Sequence, residues 1–504
     1  MAAAPPAPVS APHRAPDHSV RTALRTPRIL TREVLAGLVV ALALIPEAIS
    51  FSIIAGVDPK VGLFSSFVMA VTIACVGGRP AMISAATGAV ALVIAPVARE
   101  HGMDYFVATV LLAGVLQIVF ALLGVAQLTR YIPRSVMVGF VNALAILVFV
   151  AQLPHLLGVP WLVYPLLALG LLILVFMPRI TRVVPAPLVS IAVVTAIVMV
   201  FAINVPTVGD QGELPQSLPE LFVPNVPLTW ETLSIIAPYA VAMALVGLLE
   251  SLMTAKLVDD ITDTRSNKRR ESWGQGVANI MSGLCGGMGG CAMIGQTMVN
   301  VKVSGARTRI STFLAGAFLL LLVLTLGDLV SVIPMAALVA VMIMVCVSTF
   351  DWHSIRPSTL RRLPWSESAV MVVTVAAVVA THNLAIGVVV GVCAASLLFV
   401  RRVSRLGSVE RRIIERGGES HARYTVQGEL FFASVSDLAA NFEFAADPER
   451  VVLDLSQSHI WDASTVAELD AIVQKYAQHG KHVELLGMNP QTAALHARLT
   501  GGLS

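Results

Sequence analysis

Apolar runs of membrane-spanning length follow one another from about Leu35 to Val400, separated by short breaks that carry most of the charge in that stretch. A hydrocarbon core of roughly 30 Å takes about 20 apolar residues per helix. Counted this way, the runs predict about fourteen crossings, several of them short or interrupted by Gly and Pro. Beyond Arg401 the pattern changes. Charged residues become frequent, and VVLDLSQSHIWDASTVAELDAIVQKYAQHGKHVELLGMNPQTAALHARL alternates between two periods. It predicts a buried strand over Val451–Leu455, an amphipathic helix from Ala463, a second strand over His482–Leu486 and a further helix, which is α/β logic. Residues 403–504 therefore form a soluble domain, residues 29–402 the membrane domain, and the Ala- and Pro-rich residues 1–28 a disordered tail with too little apolar content for a core.

Two apolar segments are too short and too polar at their starts for full spans. One, AMISAATGAVALVIAP, follows GGRP at 77–80. The other, CAMIGQTMVNVKVSGARTR, follows GLCGGMGG at 283–290. Paired, Gly-interrupted segments in matching places of two halves point to a transporter's midplane site. Thr87 and Thr297 lie 210 residues apart, and Glu47 and Glu250, in ALALIPEAIS and ALVGLLESLM, lie 203 apart. Two seven-helix halves, at about 29–220 and 221–402, produce that offset. Because each half has an odd number of crossings, the second is inverted relative to the first.

Composition agrees with a membrane protein. The chain is 56% hydrophobic and 13% charged, with a mean hydropathy of +0.80. The net charge of +3 gives no reason to expect a nucleic-acid partner. Its distribution is more informative, since cytoplasmic loops carry the excess of Lys and Arg. With the N-terminus inside, the cytoplasmic turns hold Arg79, Arg130, Arg134, Arg179, Arg182, the Lys256 to Arg270 stretch, Arg307, Arg309, Arg356, Arg361, Arg362, Arg401 and Arg402. Only Lys60 and Arg99 fall outside, and the longest external loop, 204–231, has four acids and no Lys or Arg. Both termini are expected in the cytoplasm, in a cell (inner) membrane protein. No secretory signal pattern heads the chain. Cys75, Cys285, Cys291, Cys346 and Cys393 show neither metal-ligand spacing nor a pairing scheme, so they read as small core residues and no metal site is expected.

A half-helix ending in mid-membrane exposes unpaired N–H groups and the positive end of its dipole. Two such ends facing each other make an anion site without a buried cation. Thr87, Gly88, Gln296 and Thr297 stand near these ends. Glu47 follows Arg32 by fifteen residues, about 22 Å of helix, which places it inside the hydrocarbon layer. A carboxylate there costs several kcal/mol unless paired, solvated or protonated, so Glu47 is a candidate for proton coupling. The competing reading is a structural glutamate bonded to backbone opened by Pro46. Glu250 is a second candidate through its repeat relation. Phe51, one turn after Glu47, is placed to wall the site with an aromatic face.

The stretch IPEAISFSIIAGVDPKVGLFSSF, with ESLMTAKLVDD and VNVKVSGARTRIS, resembles the sulfate permease (SulP) family of anion transporters. The tail resembles a sulfate transporter and anti-sigma-factor antagonist (STAS) domain. The resemblance runs from about Leu30 to the C-terminus. It implies fourteen segments in two inverted repeats of the uracil-permease type, a core domain moving against a gate domain, and a homodimer. It also implies substrate contacts from Glu47, Phe51, Thr87, Gly88, Glu250, Gln296 and Thr297. Two positions depart from the family pattern. Glu47 stands where Gln is common, which suggests proton coupling, and Gln296 stands where many relatives have Arg, which leaves room for a carboxylate substrate. Ser464 matches the phosphorylated serine of antagonist proteins, with a helix N-cap as the plainer role. No nucleotide-binding glycine loop is present, so the domain is expected to be a regulatory or docking module that takes a partner protein.

These observations favour a transporter without enzymatic activity or cofactor. The expected reaction is proton-coupled symport of a dicarboxylate or sulfate. The alternative is uncoupled or exchange transport of bicarbonate, chloride or sulfate. A membrane-anchored signalling protein would not need two interrupted helices and an intramembrane carboxylate. A nucleobase transporter of the same architecture would not carry the STAS domain.

Overall fold

The computed structural model describes residues 19–125, 127, 132–180, 185–404, 407–416, 419–435 and 438–500. Residues 1–18 of the tail and the turn arginines Arg130 and Arg182 lie outside them. The chain divides near Val392 into two compact units.

The first unit is helical. A short helix α1 (Val20–Arg25), capped by Ser19, occupies part of the stretch expected to be tail, and α2 (Pro27–Ala55) begins almost at once. There follow α3 (Pro59–Val76), β1 (Ser84–Ala85), α4 (Gly88–Leu122), α5 (Arg134–Val150), α6 (Val163–Ile180) and α7 (Ala186–Val200). The chain continues through α8 (Trp230–Thr262), α9 (Lys268–Leu284), β2 (Cys291–Ala292) and α10 (Ile294–Met298), which runs into a π-helical turn over Val299–Val303. Then come α11 (Arg309–Thr325), α12 (Gly327–Ser331), α13 (Met335–Thr349), α14 (Pro357–Arg362), α15 (Trp365–Thr381) and α16 (Leu384–Ser404).

Among the described residues seven helices are long and apolar enough to cross a membrane, and four more apolar helices are 10–17 residues long. Seven is fewer than the fourteen crossings expected, and it counts helices by length and apolarity alone. The stretch labelled α4 is two helices, broken at Gly102 where φ is 82°, a left-handed value that glycine reaches without strain. The polar face of α9 is buried, with Glu271, Gln275 and Asn279 all inside, which hides that helix from a hydropathy count. Large apolar side chains of α6, α7 and α16 are exposed, including Phe176, Val200 and Leu397. A helix that is apolar and this exposed needs a hydrocarbon solvent.

Packing sorts the helices into two sets. One contains α2, α3, α4, α8, α9, α10 and α11, and the other α5, α6, α7, α13 and α15. In the first set β1 and β2 pair antiparallel, Ser84 with Ala292 and Ala85 with Cys291. The extended chain before each half-helix thus uses the other as its hydrogen-bond partner, which satisfies backbone polar groups that lipid cannot.

Two buried acids finish this set. Glu33 on α2 accepts from the backbone N–H groups of Arg307, Thr308 and Ser311 at the start of α11. Glu271 on α9 accepts from the N–H groups of Gly78 and Arg79. Each carboxylate occupies the positive end of a helix or turn whose donors would otherwise be unpaired.

The second unit holds a four-stranded sheet in the order β3 (Ser408–Arg416), β4 (Glu419–Leu430), β5 (Arg450–Ile460), β6 (His482–Leu486). The β3–β4 pair is antiparallel, and β4–β5 and β5–β6 are parallel. Helices α17 (Phe432–Val435), α18 (Ala463–Gln478) and α19 (Pro490–Leu499) complete it. Leu453, Leu455, Val466, Leu469 and Ile472 lie in its core, as the alternating pattern requires. Asp462, and not Ser464, caps α18 by accepting from Thr465 N, while Ser464 is exposed in the first turn.

At the centre of this unit Asp447 accepts from Arg411 (2.6 and 2.8 Å), from Tyr424 Oη (2.6 Å) and from Tyr476 Oη (2.6 Å). Removing a buried acceptor with three partners costs about 3–5 kcal/mol. Asp447→Ala is therefore expected to make the C-terminal unit sensitive to limited proteolysis in the full-length protein, and wild-type resistance would refute the assignment.

Candidate functional site

The site is built from four elements of the first packing set and closed by two of the second. Glu47 and Phe51 share one face of α2, because residues four apart stack in a helix. Pro46 between turns removes one N–H from the ladder, and Ser50 Oγ donates back to the Pro46 carbonyl at 2.8 Å. Thr87 caps the first half-helix by accepting from Val90 N (3.4 Å). Gly88 follows it, and a Cβ there would stand 2.9 Å from the Phe51 ring, so only glycine lets that ring reach the helix end. From the other half, Gln296 lies in the first turn of α10, and Glu250 projects from the middle of α8.

These side chains surround a cavity of about 330 Å³. Glu47, Phe51, Thr87, Gly88, Glu250 and Gln296 all line it, and the facing wall comes from α5 (Phe140, Leu144, Val148) and α13 (Val345, Ser348). Thr297 does not line it. It is fully buried, and its Oγ1 accepts from Ile83 N at 3.0 Å. One step along a helix turns a side chain by about 100°, so the neighbour of Gln296 faces inward to β1.

Inside the cavity Gln296 Nε2 donates to Glu47 Oε1 (2.8 Å), and Gln296 Oε1 has no partner. On the other side the Cys291 thiol donates to Glu250 Oε2 (2.9 Å) and stands 3.1 Å from Thr87 Oγ1. Glu47 and Glu250 are each 8% exposed. Among the described residues no Lys or Arg lines the cavity. Positive potential comes only from the helix N-termini, while two carboxyl groups face the same space.

Cys291 went unrecognised from sequence, where it reads as a core residue. The available signal was its place directly after the Gly-rich stretch, in the segment that matches the lead-in to Thr87.

A buried pocket between two half-helix ends in a multi-pass helical protein defines a membrane transporter. The chain belongs to the sulfate permease family, whose model matches residues 30–165 and 161–374, and a STAS domain matches residues 415–501. It is 51% identical to "Putative sulfate transporter YbaR" of Bacillus subtilis over 92% of this chain and 96% of that one. It is 26% identical to the bicarbonate transporter BicA of Picosynechococcus, covering 92% and 90%. Among solved structures, murine Slc26a9 in an inward-facing state superposes with a TM-score of 0.77 at 16% identity, over 94% of this chain and 87% of that one. The transmembrane domain of a cyanobacterial BicA superposes with a TM-score of 0.63 at 24% identity, over 73% and 98%. The protein is thus a multi-pass anion transporter, and not an enzyme.

Proposed function

We propose that the chain carries a small inorganic oxyanion, sulfate or bicarbonate, across the cell membrane by alternating access, with the anion held between the two half-helix N-termini. The observation behind this reading is a cavity lined by two helix ends and no cation. The names of YbaR and BicA favour sulfate and bicarbonate over the dicarboxylate expected from sequence. Coupling to protons, with Glu47 as first and Glu250 as second carrier, is part of the proposal. It rests on the two carboxyl groups that share the anion's cavity.

In the same reading α2, α3, the two parts of α4, α5, α6 and α7 make seven segments. Their inverted counterparts are α8, α9, α10 with its π-turn, α11, α13, α15 and α16. The set containing the half-helices is the moving core and the other set the gate. Both termini are cytoplasmic, the assembly is a homodimer, and the STAS domain docks a regulatory protein. The exposed Ser464 is a candidate phosphorylation site beside the α18 N-terminus.

Uptake of labelled sulfate, bicarbonate and a dicarboxylate into proteoliposomes, with and without an inward proton gradient, tests the proposal. Sulfate or bicarbonate uptake driven by the gradient is expected. Uptake of the dicarboxylate alone would reverse the substrate assignment, and uptake indifferent to the gradient would favour exchange. Gln296→Arg places a fixed cation beside Glu47, and an adjacent cation favours the charged carboxylate. That variant is expected to transport with a flattened pH profile, which uptake between pH 5 and 8 would reveal.

A further inference from the structure

Three turns on one face of the membrane unit meet at a second, smaller cavity of about 180 Å³ that shares no lining residue with the first. Arg79 enters it from the α3–β1 connection, Arg265 from the α8–α9 turn and Arg307 from the turn before α11, and none of the lining residues is acidic.

Three buried or half-buried carboxylates nearby are already hydrogen-bonded. Asp259 is shared between Arg79 (3.0 Å) and Lys268 (2.8 Å), and also accepts from Ser266 Oγ. Glu271 and Glu33 are occupied by the backbone donors described above. Arg265 is exposed and has no ion pair among the described residues. Arg307 uses Nη1 on the carbonyls of Val301 and Ala306. Arg79 is only 7% exposed; its Nη1 donates to Asp259 and Thr264 and its Nη2 to Thr262, while its Nε has no hydrogen-bond partner among the described residues. A guanidinium offers five donors and cannot shed its charge, so a buried unpaired N–H is a costly vacancy. Burial is the main force holding Arg79 below its ordinary range, and repulsion from Arg307 acts in the same direction against the attraction of Asp259 and Glu271.

We propose that this cavity binds a phosphate- or sulfate-type oxyanion group through Arg79, Arg265 and Arg307, at a site separate from the transport cavity. Tetrahedral oxyanions match the planar fork of arginine, and charge-assisted bonds of this kind are the strong ones. An occupant would tie the ends of α3 and α8 to the start of α11, so its expected effect is to stiffen the half-helix set. The group arrives either as free anion or as a lipid headgroup, and the chemistry is the same.

The test uses the full-length protein and thermal melting. Inorganic phosphate, against chloride at equal ionic strength, is added to detergent-purified wild type, Arg265→Gln, the double variant Arg265→Gln/Arg307→Gln, and Glu47→Gln. In parallel, nanodiscs of phosphatidylcholine with or without phosphatidic acid are compared. Arg265 is exposed and unpaired, so its single replacement should leave folding unchanged while weakening phosphate binding about tenfold. A phosphate shift that survives in Glu47→Gln and disappears in the double variant supports the site with free anion as its source. A shift seen only with phosphatidic acid, and lost in the double variant, supports the site with lipid as its source. Equal shifts in wild type and double variant, or none with either probe, overturn it. Because no readout is uptake, failure of the transport reading leaves this result intact.

Discussion

Glu47→Gln is expected to abolish the stimulation of anion uptake by an inward proton gradient while leaving the protein folded. Glutamine has the shape of a protonated glutamate and its carbonyl can still accept from Gln296 Nε2, so the 2.8 Å contact is kept. What it cannot do is gain or lose a proton. One pH unit corresponds to 1.36 kcal/mol per proton. One coupled proton should thus raise the wild-type accumulation ratio about tenfold per unit of gradient. The variant should show a flat line. Under the proposed coupling, low external pH is expected to load proton and anion together, and higher internal pH to release the proton and then the anion. Glu250→Gln run beside it separates the two carriers. If the slope survives in Glu47→Gln and vanishes in Glu250→Gln, the proton travels on α8, and if it survives in both, neither glutamate is the coupling group.

The second large effect is expected at Gly290→Ala. A Cβ there would lie 1.9 Å from the Ala85 carbonyl oxygen, 2.6 Å from its carbon and 3.1 Å from Ala86 Cα. All three atoms are backbone of the chain leading into the first half-helix, so no side-chain rotation relieves the overlap. The β1–β2 pair must part, and with it the alignment of Thr87, Cys291 and Glu250. Overpacking of this kind costs about 1–3 kcal/mol or more. Loss of uptake and a lower melting temperature are expected together. Gly295→Ala is the matched control for folding, since nothing lies within 4 Å of the position its Cβ would take. Equal melting of both variants would sink the argument.

How much of this site was legible in the sequence depends on how local each signal is. The interruption of two apolar runs by small and polar residues is a local pattern, and it led directly to Thr87, Gly88 and Gln296. Glu47 announced itself as a lone charge in lipid, and Phe51 followed by helical spacing. Glu250 was legible only through the offset between halves, because Lys256 six residues later suggested a surface position. Thr297 illustrates the limit: next to a correct residue, the helix turns it toward Ile83. Glu33 and Glu271 were not legible because their partners lie some 190 to 280 residues away, and nothing in a one-dimensional pattern marks such pairs. For a related reason α9 does not look apolar, since it buries polar residues against α3 and α4.

The β1–β2 pairing has a consequence for how this protein can change over evolutionary time. Each half-helix is led by a strand whose hydrogen-bond partner leads the other, so the two helix ends proposed to hold the anion are stapled into one piece. The facing wall on α5 and α13 carries none of those groups and no charged residue lines the cavity from that side. Selection can therefore retune the wall, and with it the speed of passage, without rewriting what is recognised, whereas a new cargo demands coordinated change within the stapled piece. Libraries built to alter turnover belong on α5 and α13, and libraries built to alter cargo belong at positions 47, 250 and 296.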